Sequence, residues 1–146
     1  MSSEVALQDA FALLCGRLLG EGIHRRVYEC RIRPDLVVKV ESDELRYFAN
    51  VHEHKFWADN QHRENVACWL APCEYLSPDG RVSLQRRVEP ITSSQDLPDA
   101  LPAFLTDVKR SNFGCLDGRL VCVDYAMVSQ SASARLRRVC WEENHD

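Results

Sequence analysis

The chain has 146 residues, of which 45% are hydrophobic and 27% charged, the profile of one globular domain with a real core. Its net charge of -4 argues against non-specific binding to nucleic acid, because such binding needs clustered Lys and Arg. Seven cysteines, with no C-x-x-C pair and no signal peptide, favour free thiols in a reducing cytoplasm over a disulfide framework.

Residues 1–16 have the pattern of an amphipathic helix that braces the segment after it. Ser3 can cap its start, and Gly16 can end it. The apolar face of this helix is formed by Leu7, Phe11 and Leu14. The apolar stretch 11–19 is too short to cross a membrane and contains Arg17, so we expect a cytoplasmic protein without a membrane segment.

Three strands are predicted next, at 17–19, 27–32 and 36–40. The turn between the first two contains Gly20 and Gly22, and a lone G-x-G of this kind is most often only a tight turn. Lys39 interrupts the third strand, which is otherwise apolar. Because an unpaired buried ammonium is costly, Lys39 either extends to solvent or has a partner in the core.

A second helix is predicted after Ser42, which can cap it, with Asp43 and Glu44 in the first turn. Its apolar stripe is formed by Leu45, Phe48, His52 and Phe56. Glu53 lies at the edge of this stripe, where a helical Glu usually faces water, but it is also the best candidate for an ion pair with Lys39. Zinc is not expected, because the spacings of the nearby thiols and imidazoles do not fit a closed site; these are His52, His54, His62, Cys68 and Cys73.

A hairpin follows, with strands at 69–76 and 81–88 and a Ser-Pro-Asp-Gly turn at 77–80. Five strands and one helix then make a complete small lobe. Residues 92–101 form a polar linker, and 101–105 has room for only a short helical turn. The basic segment 132–141 is predicted to be a helix.

The chemistry-bearing residues are concentrated in the stretch 106–125. Asp107, Lys109 and Asn112 are expected in a loop, before a hairpin that Asp117-Gly118 closes. The second strand of this hairpin ends at Asp124. Carboxylate and amide oxygens suit Mg²⁺, which takes its remaining ligands from water and substrate phosphates. The alternative is an ordinary surface hairpin with a solvated acidic turn.

This stretch resembles the catalytic loop and metal-binding turn of the protein kinases, D-x-K-x-x-N followed by D-F-G. The resemblance implies that Asp107 is the catalytic base and that Lys109 contacts the transferred phosphate. It implies that Asn112 and Asp124 hold Mg²⁺. Two departures stand out: H-R before the base is replaced by Leu105-Thr106, and the glycine after Tyr125 by Ala126.

The resemblance extends back through the chain in the family's order. It makes Gly20, Gly22 and Val27 part of a glycine-rich loop whose third glycine is replaced by Arg25. Lys39 becomes the strand-three lysine that grips the nucleotide phosphates, and Glu53 its helical partner. By chain order alone, the hinge whose backbone holds adenine is formed by Arg87, Val88 and Glu89.

The expected fold is therefore α+β, a kinase-like N-lobe of five antiparallel strands and one helix with a severely reduced C-lobe. One domain is expected over 1–146, divided into a helix (1–16), the N-lobe (17–91), a linker with the catalytic loop and hairpin (92–126) and a tail (127–146). The sequence has no A-P-E motif and no large helical lobe. In this the chain is similar to short kinase-like proteins of bacteria and phages.

Two functions follow from the resemblance, and both involve a nucleotide-binding fold. One is a minimal ATP- and Mg-dependent Ser/Thr-type phosphotransferase. The other is a non-catalytic pseudokinase module that acts by binding a protein partner. The sequence leaves open whether a partner chain or a second copy of this chain supplies the missing lobe.

Overall fold

The computed structural model describes residues 3–42, 47–128 and 132–142, with the backbone alone for residues 3–7. These residues begin with helix α1 (Ser3–Leu14) and strands β1 (Cys15–Glu21), β2 (Arg25–Cys30) and β3 (Leu36–Glu41). Helices α2 (Ala49–Asn60) and α3 (Glu64–Ala67) and strands β4 (Cys73–Leu76) and β5 (Val82–Arg86) follow. The remaining strands are β6 (Ala100–Pro102), β7 (Phe113–Leu116), β8 (Arg119–Cys122) and β9 (Leu136–Arg138).

The chain divides into two compact units. The first comprises Met1–Val51 and Cys73–Arg87, and the second comprises His52–Pro72 and Val88–Asp146. The first unit is built on one antiparallel sheet with the strand order β1-β2-β3-β5-β4. The α+β class and the five-stranded antiparallel sheet are therefore confirmed.

The two faces of this sheet differ sharply in polarity. One face is apolar: Cys15, Cys30, Leu36 and Val38 are buried on it, and Tyr28 packs edge-on against Phe11 of α1 at 5.2 Å between ring centroids. The strict alternation of side chains along each strand sends the neighbouring residues to the opposite face. That second face buries five polar or charged residues, Arg25, Lys39, Glu41, Ser83 and Gln85.

The second unit contains two short antiparallel ribbons around an aromatic core. The β7–β8 ribbon is the predicted hairpin, and Asp117 and Gly118 both have the positive φ values (51° and 80°) that a type I′ turn requires. The buried rings of Phe104 and Tyr125 lie 5.6 and 6.0 Å from the ring of Phe56. Strand β6 pairs with β9.

The start of the second helix differs from the prediction. Helix α2 begins at Ala49, seven residues after the predicted cap Ser42. The predicted first-turn residues Asp43 and Glu44, and Leu45 of the predicted stripe, lie outside the described residues. Phe48 cannot belong to the helical stripe, because its φ of 55° is left-handed. The start is fixed instead by a distant acid, since Glu41 Oε1 accepts a 3.0 Å hydrogen bond from Asn50 N.

Two further segments adopt strand rather than helical structure. The tail predicted as a helix over 132–141 contains strand β9, which pairs with β6 through Ala100↔Arg138 and Pro102↔Leu136. The predicted helical turn at 101–105 therefore begins as a strand. The hairpin predicted with strands at 69–76 and 81–88 is also shorter than expected. Trp69 and Leu70 precede β4, and only Cys73–Leu76 is paired with β5.

No helix in the described ranges is long and apolar enough to cross a membrane. The seven cysteines are all free thiols. Burial raises the pKa of the Cys15 thiol to about 11, with a further contribution from Cys30, its direct partner across β1 and β2.

We expect the buried Cys15 thiol and the exposed thiols to differ in their rate of alkylation. Roughly one thousandth of Cys15 is thiolate at pH 8, so this residue should resist alkylation while exposed Cys115 and Cys140 are modified. Mass spectrometry of iodoacetamide-treated native protein at pH 8 and pH 10 measures this difference. Labelling of Cys15 should increase steeply between the two pH values; equal labelling of Cys15 and Cys115 at pH 8 would contradict the assignment.

Gly114 is required by packing. A Cβ added at this position in β7 would lie 2.2 Å from Val88 Cγ2 and 2.9 Å from the carbonyl oxygen of Glu89. We expect Gly114→Ala to lower the free energy of unfolding by about 1–3 kcal/mol, measured by urea denaturation. Gly20→Ala is the matched control, because nothing lies within 4 Å of its added Cβ; its stability should change by less than about 1 kcal/mol.

Candidate functional site

The loop before β7 holds Asp107, Lys109 and Asn112 in one hydrogen-bonded turn. Asn112 Nδ2 donates to the carbonyl oxygen of Asp107 at 3.0 Å, and Asn112 N donates to the carbonyl of Lys109 at 3.0 Å. Lys109 Nζ lies 3.7 Å from Asp107 Oδ2. The Asp107 side chain remains 62% exposed, whereas Asn112 is buried. The loop therefore combines the exposed carboxylate of Asp107 with the side-chain amide of Asn112, which a hydrogen bond holds in place.

Asp124 is held beside this loop by its two chain neighbours. Val123 N donates to the carbonyl of Asn112 at 2.8 Å, and Tyr125 N donates to Glu53 Oε2 at 2.9 Å. The Asp124 side chain itself is exposed. Asp107, Lys109 and Asn112 are thus brought together in one turn, and Val123, the residue before Asp124, is bonded to that turn.

Tyr125 fixes the segment after Asp124, a role that the sequence did not reveal. Its ring is fully buried against Phe56, and its hydroxyl donates to the carbonyl of Ala71 at 2.7 Å. Glu53, which accepts the Tyr125 amide, is only 1% exposed. The alternative that Glu53 faces water is therefore excluded, while its predicted ion pair with Lys39 stays a prediction.

Lys39 lies on the central strand of the first unit, on the polar face of the sheet. Its direct cross-strand partners are Val27 on β2 and Ser83 on β5, so the three side chains share that face. Lys39 is 3% exposed, which excludes the alternative of a side chain extended to solvent.

Asn50 organises this polar face, and sequence reasoning missed it. Its Nδ2 donates to the carbonyls of Lys39 and Arg81, both at 3.1 Å, and its Oδ1 accepts from Arg25 Nη1 at 3.2 Å. Arg25, which replaces the third glycine of the kinase loop, is thus buried against the start of α2. The signal for Asn50 is weak, since nothing local separates it from an exposed helical Asn.

Gly20 and Gly22 are glycines that neither turn geometry nor packing requires. Neither has a positive φ, and an added Cβ would meet nothing within 4 Å at Gly20 and only the Arg25 carbonyl, at 3.8 Å, at Gly22. Gly20 pairs with Val27, and Gly22 N donates to the carbonyl of Arg25 at 2.9 Å. The backbone at this turn is open to close approach from outside.

The three residues predicted as a hinge are largely engaged within the protein. Arg87 N donates to the carbonyl of Asp35 at 2.8 Å. Glu89 exchanges both of its backbone hydrogen bonds with Cys115, at 2.8 and 2.9 Å. Val88 packs in a cluster with Ala71, Leu116 and Val121. The predicted adenine contacts of Glu89 are thus unavailable from its main chain unless the bridge to β7 opens.

Asn112 and Asp124 carry the kinds of oxygen atom that Mg²⁺ prefers. Asn112 Nδ2 donates to a carbonyl, which leaves its Oδ1 as the acceptor atom of this amide, and Val123, the residue before Asp124, is bonded to the Asn112 carbonyl. Mg²⁺ is typically bound through one or two protein oxygens, with waters and phosphates completing the octahedron. Among the described residues, no group of three or more His, Cys, Asp or Glu is arranged to hold a metal.

A separate pocket of about 220 Å³ lies within the second unit. It is lined by Trp57, Gln61, His62, Glu64, Ala67, Cys68 and Arg119. None of the sequence-predicted site residues lines this pocket.

Comparisons with known proteins do not assign the chain to a family. No protein-family model matches it, and no curated protein is significantly similar to it.

Proposed function

We propose that this chain is a kinase-like protein that binds Mg·ATP and transfers its terminal phosphoryl group to a hydroxyl. Gly20, Gly22 and Lys39 would take the phosphates, and Asn112 and Asp124 the Mg²⁺. The observation that carries the proposal is the hydrogen-bonded framework in which Asn112 Nδ2 donates to the Asp107 carbonyl and Val123 N, next to Asp124, donates to the Asn112 carbonyl.

The residues of this framework suit phosphoryl transfer. Such catalysis consists mainly of positioning and charge stabilisation. Exposed Asp107 can orient an acceptor hydroxyl, and Lys109, which lies 3.7 Å from it, can neutralise charge on the phosphoryl group. A bound Mg²⁺ would supply charge neutralisation to the phosphates, while Asn112 and Asp124 would fix its position.

Lys39 gives independent support in the first unit. A lysine that is 3% exposed must be compensated by polar groups or counter-charges, since burial of an ammonium is costly. The surrounding polar face, with Glu41 and Ser83 on the flanking positions, supplies such an environment. The open backbone at Gly20 and Gly22 lies on the same hairpin as Val27, the neighbour of Lys39.

The second candidate is a pseudokinase module that keeps this fold and acts by binding a protein. It is favoured by the engagement of Glu89 with Cys115 and by the hydrogen bond from Arg25 Nη1 to Asn50 Oδ1, which occupies a guanidinium that could otherwise bind phosphate at the turn. Leu105-Thr106 in place of H-R points in the same direction.

Asp107→Asn separates the two candidates. We expect the variant to bind Mg·ATP like the wild type but to lose phosphate transfer by at least about 100-fold, the usual contribution of a positioned acid or base. The measurement is transfer of labelled γ-phosphate to the protein itself and to a panel of Ser/Thr peptides, with binding followed by calorimetry.

Asp117→Asn is the matched control, because Asn is well accepted at the left-handed position of a type I′ turn. It should retain full activity. Wild-type protein that binds Mg·ATP without any transfer would support the pseudokinase module. Wild-type protein that does not bind Mg·ATP would overturn the nucleotide proposal.

A further inference from the structure

Two buried thiols lie directly opposite each other in the sheet of the first unit. Cys15 is the first residue of β1 and Cys30 is the last residue of β2, and the register pairs them across the two strands. They are 5% and 4% exposed and belong to the same apolar cluster, so their side chains are on the same face of the sheet. Burial is the main cause of the raised pKa of Cys15, and the Cys30 thiol is the second, as expected for two sulfur atoms that lie close together.

The backbone hydrogen bonds show which kind of cross-strand pair the two cysteines form. Arg31 N donates to the carbonyl of Leu14 at 2.8 Å, one position beyond the cysteines on each strand. Because the two kinds of pair alternate along an antiparallel ladder, Cys15 and Cys30 form a non-hydrogen-bonded pair, whose Cα atoms are typically about 4.5 Å apart. The irregularities of β1 begin only after Cys15.

A pair with this geometry can be bridged. The Cα atoms of a disulfide are separated by roughly 4.4–6.8 Å, a range that includes the non-hydrogen-bonded pairs of antiparallel strands. The side chains of such a pair approach each other more closely than those of a hydrogen-bonded pair. An S–S bond between Cys15 and Cys30 therefore requires no large movement of β1 or β2.

We propose that Cys15 and Cys30 form a reversible oxidation site, at which a peroxide converts the two thiols into an intramolecular disulfide. One thiolate attacks a peroxide oxygen, the O–O bond breaks, and a sulfenic acid and a hydroxide ion are formed. The second thiol attacks the sulfenic sulfur, so that the S–S bond forms and the hydroxyl leaves as water with the thiol proton. The two sulfurs together lose two electrons, and the peroxide takes them up as it becomes two waters.

Burial makes this oxidation slow and directs it to one product. A thiol with a pKa of about 11 has little thiolate at neutral pH, so sustained exposure to the oxidant is needed. The pair lies at the end of the β1–β2 ladder, where local opening that admits a molecule as small as a peroxide is easiest. A sulfenic acid at either cysteine then has the other as its neighbour, which favours the intramolecular bond over a link between molecules.

The bond closes the β1–β2 hairpin into a ring that contains the turn with Gly20 and Gly22. A disulfide that closes a loop of this size stabilises a protein mainly by restricting the unfolded chain. We expect the oxidised protein to have a Tm about 10 °C higher than the reduced protein. The inference uses only the register and burial of β1 and β2, so it does not rest on the proposed nucleotide chemistry.

Peroxide treatment of a variant without the exposed thiols tests the proposal. Cys115→Ala and Cys140→Ala together remove the two exposed cysteines, which could otherwise link molecules to one another. After treatment with hydrogen peroxide at pH 8 and non-reducing trypsin digestion, mass spectrometry should recover the peptide that ends at Arg17 joined to the peptide that ends at Arg31. The Tm should rise with the yield of this linked product, and dithiothreitol should reverse both changes.

Single substitutions in the same background identify the two thiols. Cys15→Ala and Cys30→Ala should each abolish the linked peptides and the rise in Tm. Cys73→Ala is the matched control and should keep both, because Cys73 is a buried thiol of the same sheet that lies opposite Gln85 and not opposite a cysteine. The proposal is overturned if peroxide leaves Cys15 and Cys30 unlinked, as thiols or as sulfinic acids, or links either of them to a different cysteine. A rise in Tm that persists in Cys15→Ala would also overturn it.

Discussion

Replacement of Lys39 by alanine is expected to abolish the thermal stabilisation that Mg·ATP gives to the wild-type protein. A ligand at 100 times its Kd stabilises a folded protein by about 2.7 kcal/mol, which is readily seen as a rise in Tm. Lys39 is a buried cation of the polar sheet face, and under the proposed function its loss should remove a charge that holds the phosphates.

Two substitutions of Lys39 distinguish a loss of nucleotide binding from a loss of stability. Lys39→Met keeps most of the side-chain volume and should give the same loss of ligand response, even where Lys39→Ala lowers the Tm of the free protein. Lys55→Ala is the matched control on a surface lysine, whose ammonium pairs with Asp59 on the exposed side of α2. A Mg·ATP shift in Lys39→Met equal to that of the wild type would remove Lys39 from nucleotide binding.

The sequence predicted best those elements that are determined by neighbours in the chain. The β7–β8 hairpin was predicted correctly because Asp117-Gly118 is among the few dipeptides that accept two positive φ values. The turn at 77–80 was predicted from its Ser-Pro-Asp-Gly sequence, in which Gly80 has a φ of 75° and donates to the carbonyl of Ser77.

Its errors fall where distant residues decide the structure. Segment 132–141 is rich in arginine, a good helix former, yet residues 136–138 pair with β6, more than 30 positions earlier in the chain. The start of α2 was placed too early because the local stripe included Phe48, whereas Glu41 and Asn50 determine the observed start.

The same division applies to the candidate site. Asp107, Lys109 and Asn112 are close in sequence, so their proximity could be predicted from a loop pattern. The roles of Asn50 and Tyr125 depend on hydrogen bonds across 31 and 54 residues, to Arg81 and Ala71, and no local pattern encodes such bonds.

Glu53→Leu is expected to weaken both the fold and the binding of Mg·ATP. The leucine has a similar volume but no acceptor, so the buried amide of Tyr125 loses the carboxylate that receives it at 2.9 Å. Loss of this partner should lower the free energy of unfolding by about 1–3 kcal/mol, measured by urea denaturation.

The same substitution should also displace Asp124, because Tyr125 is the next residue and its amide anchors the turn. We therefore expect calorimetry to show at least a tenfold weaker Kd for Mg·ATP, with excess Mg²⁺ unable to restore it. Glu53→Gln is the matched control, since its amide oxygen can still accept from Tyr125 N and should preserve most of the stability. Selective loss of nucleotide affinity in the glutamine variant would show that the charge of Glu53 acts on the ligand site separately from this anchor. Unchanged stability in the leucine variant would mean that the Tyr125 amide does not depend on Glu53, and the account of how Asp124 is positioned would fail.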